Sequence, residues 1–349
     1  RVGDPVTTSS TVSTVSLGNT PTQVTFSKRE TGAGTAELIG ATLTISHTEG
    51  GTTVVDESWV SGDSAHRDSA GNPVPHVVTG KLKADGVTEY TFTEVGAPAG
   101  YTIAGNLVFR IETDGTVKVK QPDGSFVSAG DNTVIMTDAP TKFKIAKVDA
   151  TSKAYLSGAV FAIVPDVSGK PGSTPVTGFA NITSGSAPVT IEKLAAGSYW
   201  LVETQAPVGV DSTGNPVHYQ LAAPKAFTLT DELLASDAVL TVTVEDTPTT
   251  VTVLKLDSDA LTTGGEPAGN RVKDAVLTLT RKGDSTVLAT HTFDGLSDWI
   301  LDSGLVEPGA TYVLTETLEG TPEGYLSAYS AEFTMAQDGS DRWVVVDTP

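Results

Sequence analysis

From Gln23 onward, apolar and polar residues alternate in short runs. Val24-Thr-Phe26, Leu43-Thr-Ile45 and Tyr90-Thr-Phe92 show the pattern: every second residue is apolar, with Thr between. Successive side chains of a strand point to opposite faces, so such runs predict strands with one face in a core and one in water. Gly, Pro, Asn and Asp punctuate the runs, as at Asp123-Gly124 and Asn215-Pro216, and such pairs mark turns. No segment carries apolar residues at helical spacing. The pattern predicts an all-β fold, a sandwich of short antiparallel strands. The Ser/Thr-rich stretch 7–22 has almost no charge and no large apolar cluster. Residues 1–19 are therefore expected to be a linker or lead-in.

Comparing the chain with itself reveals the organisation. An opening segment occurs three times, as VTFSKRE (24–30), FKIAKVD (143–149) and VTVLKLD (251–257). A second strand follows each: GATLTI (40–45), GAVFAI (158–163) and DAVLTL (274–279). Then comes an aromatic strand that runs into Glu: EYTFTEVGAPAGY (89–101), SYWLVETQAPVGV (198–210) and TYVLTETLEGTPEGY (311–325). Each unit closes on a Val-rich strand ending in Asp, at TVIMTD (133–138), TVTVED (241–246) and WVVVD (343–347). Three domains are expected, over 20–140, 141–248 and 249–349, each long enough for a core of its own.

Three ionisable positions recur with the repeat. They are Lys28, Lys147 and Lys255; Glu94, Glu203 and Glu316; and Asp138, Asp246 and Asp347. All nine fall in phase with apolar neighbours. Lys28 shares a face with Val24 and Phe26, Glu94 with Tyr90 and Phe92, and Asp138 with Val134 and Met136. If those faces form the core, each domain buries one Lys and two carboxyls. Burial disfavours charge, so it favours a neutral amine beside a protonated acid. An amine facing an acyl carbon is a nucleophile, and the second carboxyl can shuttle protons and polarise the carbonyl. Loss of water then leaves an amide between the Lys and Asp side chains. One isolated set would read as a structural ion pair. Three sets, each in phase with a core, favour the chemistry.

Composition narrows the field. The chain has 349 residues, and 22 Lys and Arg oppose 42 Asp and Glu, for a net charge of −20. Such a polyanion is repelled by nucleic acid and by anionic membrane surfaces. Cysteine is absent, which excludes disulfides, thiol catalysis and thiolate metal sites. No apolar run approaches the ~18 residues of a membrane helix. The five His show no zinc-site spacing, and the similar segments before His76 and His218 (DSAGNPVPH and DSTGNPVH) read as turns. No nucleotide-binding loop or nucleophile elbow is present, so neither a metal nor a cofactor is expected. The chain opens on Arg with no leader, which predicts an internal segment of a longer protein.

The sets and their surroundings resemble the Cna-B (collagen-adhesin B-type) domains of Gram-positive surface adhesins and pilins. Glu94-Val-Gly-Ala-Pro-Ala-Gly-Tyr101 is similar to that family's ETxAPxGY motif. The resemblance covers about residues 20–349. It implies immunoglobulin-like sandwiches of inverse topology and a self-formed Lys–Asn or Lys–Asp isopeptide bond promoted by the motif Glu. Carried over residue by residue, the bonds would join Lys28 to Asp138, Lys147 to Asp246 and Lys255 to Asp347, promoted by Glu94, Glu203 and Glu316. Two departures stand out: Val210 occupies the motif Tyr position in the second repeat, and the third inserts two residues between Glu316 and Pro322. The implied protein is a monomeric stalk segment, extracellular and anchored to the cell wall of a Gram-positive bacterium. It is not a turnover enzyme. Its ligands, a host matrix protein or glycan, would be met through other regions of the full protein. A pilin shaft subunit and a ligand-binding adhesin module are the alternatives, the latter using the long Asp63–His76 loop.

Overall fold

Three times along the chain, the strand that carries the recurrent Lys becomes the middle of a three-stranded sheet. The computed structural model describes residues 20–230, 239–257, 270–316, 321–325, 330–337 and 340–347, without the side chains of Ser340 and Asp347. The lead-in expected at residues 1–19 lies outside the described residues.

The first repeat contains β1 (Gln23–Glu30), β2 (Thr42–Glu49), β3 (Thr52–Val60), β4 (His76–Thr79), β5 (Tyr90–Gly96), β6 (Leu107–Ile111), β7 (Val117–Lys120), β8 (Phe126–Ser128) and β9 (Thr133–Asp138). They form two sheets, ordered β4-β1-β9 and β3-β2-β5-β6-β7-β8. The sheets share one core in which Phe26 of β1 meets Phe92 of β5 edge-on, ring centroids 5.1 Å apart, with Trp59 and Phe109 close by. Asp123-Gly124 turns β7 into β8: Gly124 adopts φ +83°, and Asp123 accepts the Ser125 N–H at 2.9 Å.

The second repeat contains β10 (Lys142–Asp149), β11 (Val160–Pro165), β12 (Ile182–Thr183), β13 (Val189–Glu192), β14 (Gly197–Gln205), β15 (Val208–Val210), β16 (Pro216–His218), β17 (Lys225–Leu229) and β18 (Thr241–Asp246). Its sheets are β13-β10-β18 and β12-β11-β14-β17, with β15 and β16 as a separate hairpin. The third contains β19 (Thr250–Asp257), β20 (Lys273–Arg281), β21 (Val287–Asp294), β22 (Trp299–Leu301), β23 (Thr311–Glu316), β24 (Ser330–Thr334) and β25 (Ser340–Asp347), in sheets β22-β19-β25 and β21-β20-β23-β24. One turn of 3-10 helix, Gly130–Asn132, is the only helix among the described residues.

The all-β sandwich expected from the alternation is the fold found, with one departure in each core. The first and last strands lie side by side and run parallel: β1 with β9, β10 with β18, and β19 with β25. Parallel neighbours need a long crossover. Here the whole repeat is that crossover, which no local pattern reports. A threonine ahead of each first strand pins it by donating to a carbonyl: Thr22 to Leu82, Thr141 to Leu194 and Thr249 to Val306.

The chain divides into two compact units that meet in sequence at Pro140 and Thr141. The second unit holds two separate hydrophobic cores. Within it, the His218 N–H donates to the Ser303 carbonyl at 3.1 Å and the Leu221 N–H to the Gln337 carbonyl at 3.3 Å, tying the second core to the third.

Candidate functional site

The parallel register fixes where each Lys and Asp meet. Lys28 pairs with Met136, Lys147 with Val244 and Lys255 with Val345. In each case the recurrent Asp lies two residues further along, on the same face of its strand. The Glu reaches the same point from the opposite sheet, where it stands across from a core residue: Glu94 from Leu43, Glu203 from Phe161 and Glu316 from Leu277.

Side chains follow that plan. In the first core, Lys28 Nζ contacts Asp138 Oδ1 and lies 2.9 Å from Glu94 Oε1. In the second, Lys147 Nζ contacts Asp246 Oδ1 and lies 2.9 Å from Glu203 Oε1. In the third, Lys255 Nζ lies 3.0 Å from Glu316 Oε2. The side chain of Asp347 lies outside the described residues, although the backbone register of β25 matches that of β9 and β18. All eight described side chains are buried; Lys28, Lys147 and Lys255 are each 1% exposed.

The electrostatics differ from those of an ordinary ion pair, because two carboxyls face one cation. Burial pushes Asp138 up to about 6. The Lys28 ammonium opposes that rise, and the neighbouring Glu94 adds to it. Burial likewise pushes Asp246 up to about 7, against the pull of Lys147 and with the repulsion of Glu203. Asp138 Oδ2, Glu94 Oε1, Asp246 Oδ2 and Glu203 Oε1 are buried with no hydrogen-bond donor aligned on them. The Lys Nζ atoms stand in ion-pair range of the Glu Oε1 atoms, off hydrogen-bonding alignment. In the first two sets, a proton taken up by the raised Asp would supply the missing donor.

Two further groups escaped sequence reasoning. The Ala104 N–H donates to Glu94 Oε2 at 2.6 Å, and the Ala222 N–H donates to Glu203 Oε2 at the same distance. A backbone donor carries no residue identity, but one signal was present: each Ala stands three residues after a Tyr, in Tyr101-Thr-Ile-Ala104 and Tyr219-Gln-Leu-Ala222. The second Tyr corrects an expectation. Val210 does not take the motif Tyr position. Tyr219 does, for it bridges Pro248 as Tyr101 bridges Pro140. The β15–β16 hairpin is inserted between Glu203 and Tyr219 and displaces the motif along the chain.

Two histidines of the first repeat, His66 and His76, meet each other across the 63–76 loop. His66 Nδ1 meets Asp63 at 2.6 Å, and His66 Nε2 meets His76 Nδ1 at 2.6 Å. Among the described residues no group of three His, Asp or Glu side chains has the geometry to hold a metal ion.

Comparison with known proteins points the same way as the repeats. The family model described as SpaA, prealbumin-like fold domain, matches residues 22–125 and 141–233, more than half of the chain. No curated protein matches the chain. Among solved structures, the Bacillus anthracis TIE protein is 16% identical, with 95% of this chain and 51% of that one covered at a TM-score of 0.36. The pilus adhesin SpaC of Lactobacillus rhamnosus GG, in its open conformation, is 17% identical over 94% of this chain and 43% of its own, at 0.34. A streptococcal ancillary pilin is 13% identical over 94% of this chain and 98% of its own, at 0.37. The chain thus spans about half the length of the first two. Because that model matches two segments that together make up more than half of the chain, the chain belongs to the SpaA prealbumin-like fold family.

Proposed function

We propose that this chain is a load-bearing segment of a Gram-positive pilus or surface adhesin, each repeat locked by an isopeptide bond that it forms itself. The observation that carries this reading is the contact of a buried Lys amine with a buried Asp carboxyl, with a second carboxyl beside it, between the first and last strands. The bonds join Lys28 to Asp138, Lys147 to Asp246 and Lys255 to Asp347. Each set reacts once, so the protein is not a turnover enzyme. Anchoring to the cell wall and any adhesive contact with a matrix protein or glycan belong to other parts of the full protein.

The reaction uses the groups in place. With one proton on the carboxyl pair, Lys passes a second to it and becomes a neutral amine facing two neutral acids, a distribution that low polarity favours. Nζ attacks Asp Cγ while Glu donates a hydrogen bond to the carbonyl oxygen. The new C–N bond forms, nitrogen gives up a proton through Glu, and the Cγ–OH bond breaks as that oxygen takes the proton. One water leaves, and Glu ends as it began.

Such a tie closes a loop of about a hundred residues, worth roughly 4–5 kcal/mol if it behaves like a disulfide of the same span. Unlike a disulfide, it does not respond to thiols. The test is intact mass under denaturing conditions. Three bonds remove three waters, about 54 Da in all, and Glu203→Ala returns one of them. A mass equal to that of the linear chain overturns the reading.

A further inference from the structure

A tyrosine straddles the cross-link Asp in the first two repeats, and none of the chemistry above uses it. In the first core the Tyr101 backbone bridges Pro140, two residues past Asp138. The Tyr101 hydroxyl donates to Glu30 at 2.7 Å, and Glu30 is the register partner of Asp138 in the neighbouring strand. In the second core Tyr219 bridges Pro248, two residues past Asp246, and donates to Asp149 at 3.1 Å. Asp149 is the register partner of Asp246. In the third, the Tyr325 hydroxyl reaches Asp257 at 3.4 Å, and Asp257 pairs in register with Asp347. Each acid lies two residues beyond its Lys.

Three residues after Tyr101 and Tyr219 come the Ala N–H groups that hold the outer oxygen of Glu94 and Glu203. The tyrosine therefore anchors one short segment at both of its duties: it closes over the strand end that bears Asp, and it delivers the donor that aims Glu. The second core shows that this arrangement is held through a change of spacing. Glu203 and Tyr219 are separated by an entire hairpin, yet the hydroxyl, the Pro bridge and the Ala donor all reappear in place. The acid is also prepared for its role: Asp149 Oδ1 accepts the Thr151 and Ser152 N–H groups, leaving Oδ2 for the tyrosine. Burial, with Asp149 beside it, pushes the Tyr219 hydroxyl up to about 12, so it remains a donor throughout the working range.

We infer that Tyr101 and Tyr219 are positioning residues for isopeptide formation, acting on Glu through the Tyr-x-x-Ala segment and anchored by the acid two residues beyond each Lys, an acid that Tyr325 also contacts in the third core. This rests on the cross-linking reading above. The experiment follows cross-link formation in the full chain from the time of synthesis, by proteolysis and mass spectrometry of the Lys147–Asp246 peptide, with Lys28–Asp138 as internal control. Tyr219→Phe keeps the ring and the Pro bridge but loses the hydroxyl, and slows the second bond about tenfold, the worth of one aligned hydrogen bond in the barrier. Its rate profile also shifts to higher half-maximal pH, because a carboxyl pair with a misplaced N–H donor holds its proton more tightly. A purely structural tyrosine would not move that profile. Asp149→Glu, which copies the first core, retains the rate, and Asp149→Leu loses it. Should Tyr219→Phe fail to fold, Tyr101→Phe makes the same test in the first core. Wild-type chain that forms no cross-link overturns the underlying reading. Wild-type chain that links, alongside a folded Tyr→Phe variant that links at the same rate and pH, overturns the role of the tyrosine alone.

Discussion

The first and second cores solve one problem with segments of different length. Glu94 and Tyr101 are seven positions apart; Glu203 and Tyr219 are sixteen. The first core makes the passage directly, and the second makes a detour through β15 and β16. Both segments arrive at a Pro bridge and an Ala N–H on the Glu. What the fold conserves is therefore the pair of endpoints, and the path between them is free to grow outward, as surface loops tolerate insertion at small entropic cost.

The strongest way to break this comparison is to remove the cation from one core. Lys147→Met leaves two carboxyls buried without their counter-charge and, on the proposed cross-link, removes the tie. Together these effects lower the stability of the second core by roughly 5–10 kcal/mol. Hydrogen exchange resolved along the chain should show the loss in residues 141–248, with residues 20–140 unchanged, and Lys28→Met should show the reverse. Equal loss in both would contradict the separation into independent cores.

A smaller effect separates the cores by pH. The proposed reaction needs a carboxyl proton, which Asp138 holds at low pH and loses as pH rises through about 6, and Asp246 as pH rises through about 7. Above each value the rate of bond formation falls roughly tenfold per pH unit. At pH 7.5 the second core should therefore form its bond several times faster than the first, and below pH 5 the two should converge. Time-resolved peptide mass spectrometry at a series of pH values reads this directly, and a first core that outlasts the second at high pH would reverse the assignment.

The smallest effect sharpens the endpoint argument. Excising residues 209–217 restores the seven-position spacing of the first core. The second bond should still form, with stability changed by less than about 1 kcal/mol. The His218 and Leu221 N–H groups that tie the second core to the third lie outside the excised residues, so NMR relaxation should show these two cores still tumbling together. Failure of the bond in that chain would show that the hairpin takes part in the chemistry.

Much of this was legible in the sequence because charge at an apolar phase is conspicuous. Lys147 after Phe143 and Ile145, or Asp246 after Val242 and Val244, has no explanation on a solvent face that also carries the apolar side chains. Repetition then separated pattern from accident. The parallel pairing of β1 with β9 was not legible, since it joins residues 108 positions apart, such as Lys28 and Met136, and alternation does not encode strand direction. Tyr219 was missed because a fixed spacing was carried from the first repeat to the second, where a hairpin intervenes. The donors of Ala104 and Ala222 were hidden for a different reason: any residue but Pro presents the same N–H. The His66–His76 contact was hidden because the similar segment before His218 has Gly209 where the first repeat has His66.

The register of the Lys and Asp strands also fixes how far a pulled chain can lengthen. Between Lys28 and Asp138 lie 110 positions, and between Lys147 and Asp246 lie 99. A freed chain extends at most about 3.4 Å per residue, so opening these two cores would pay out about 370 and 340 Å. An amide between the two side chains keeps all of that length out of circulation, even if every β-ladder inside the loop were to melt. An array of unbonded sandwiches under tension acts as a shock absorber, yielding one domain at a time. An array bonded at these positions acts as a cable of fixed length, which passes tension on undiminished and leaves any give to the few residues between one Asp and the next Lys.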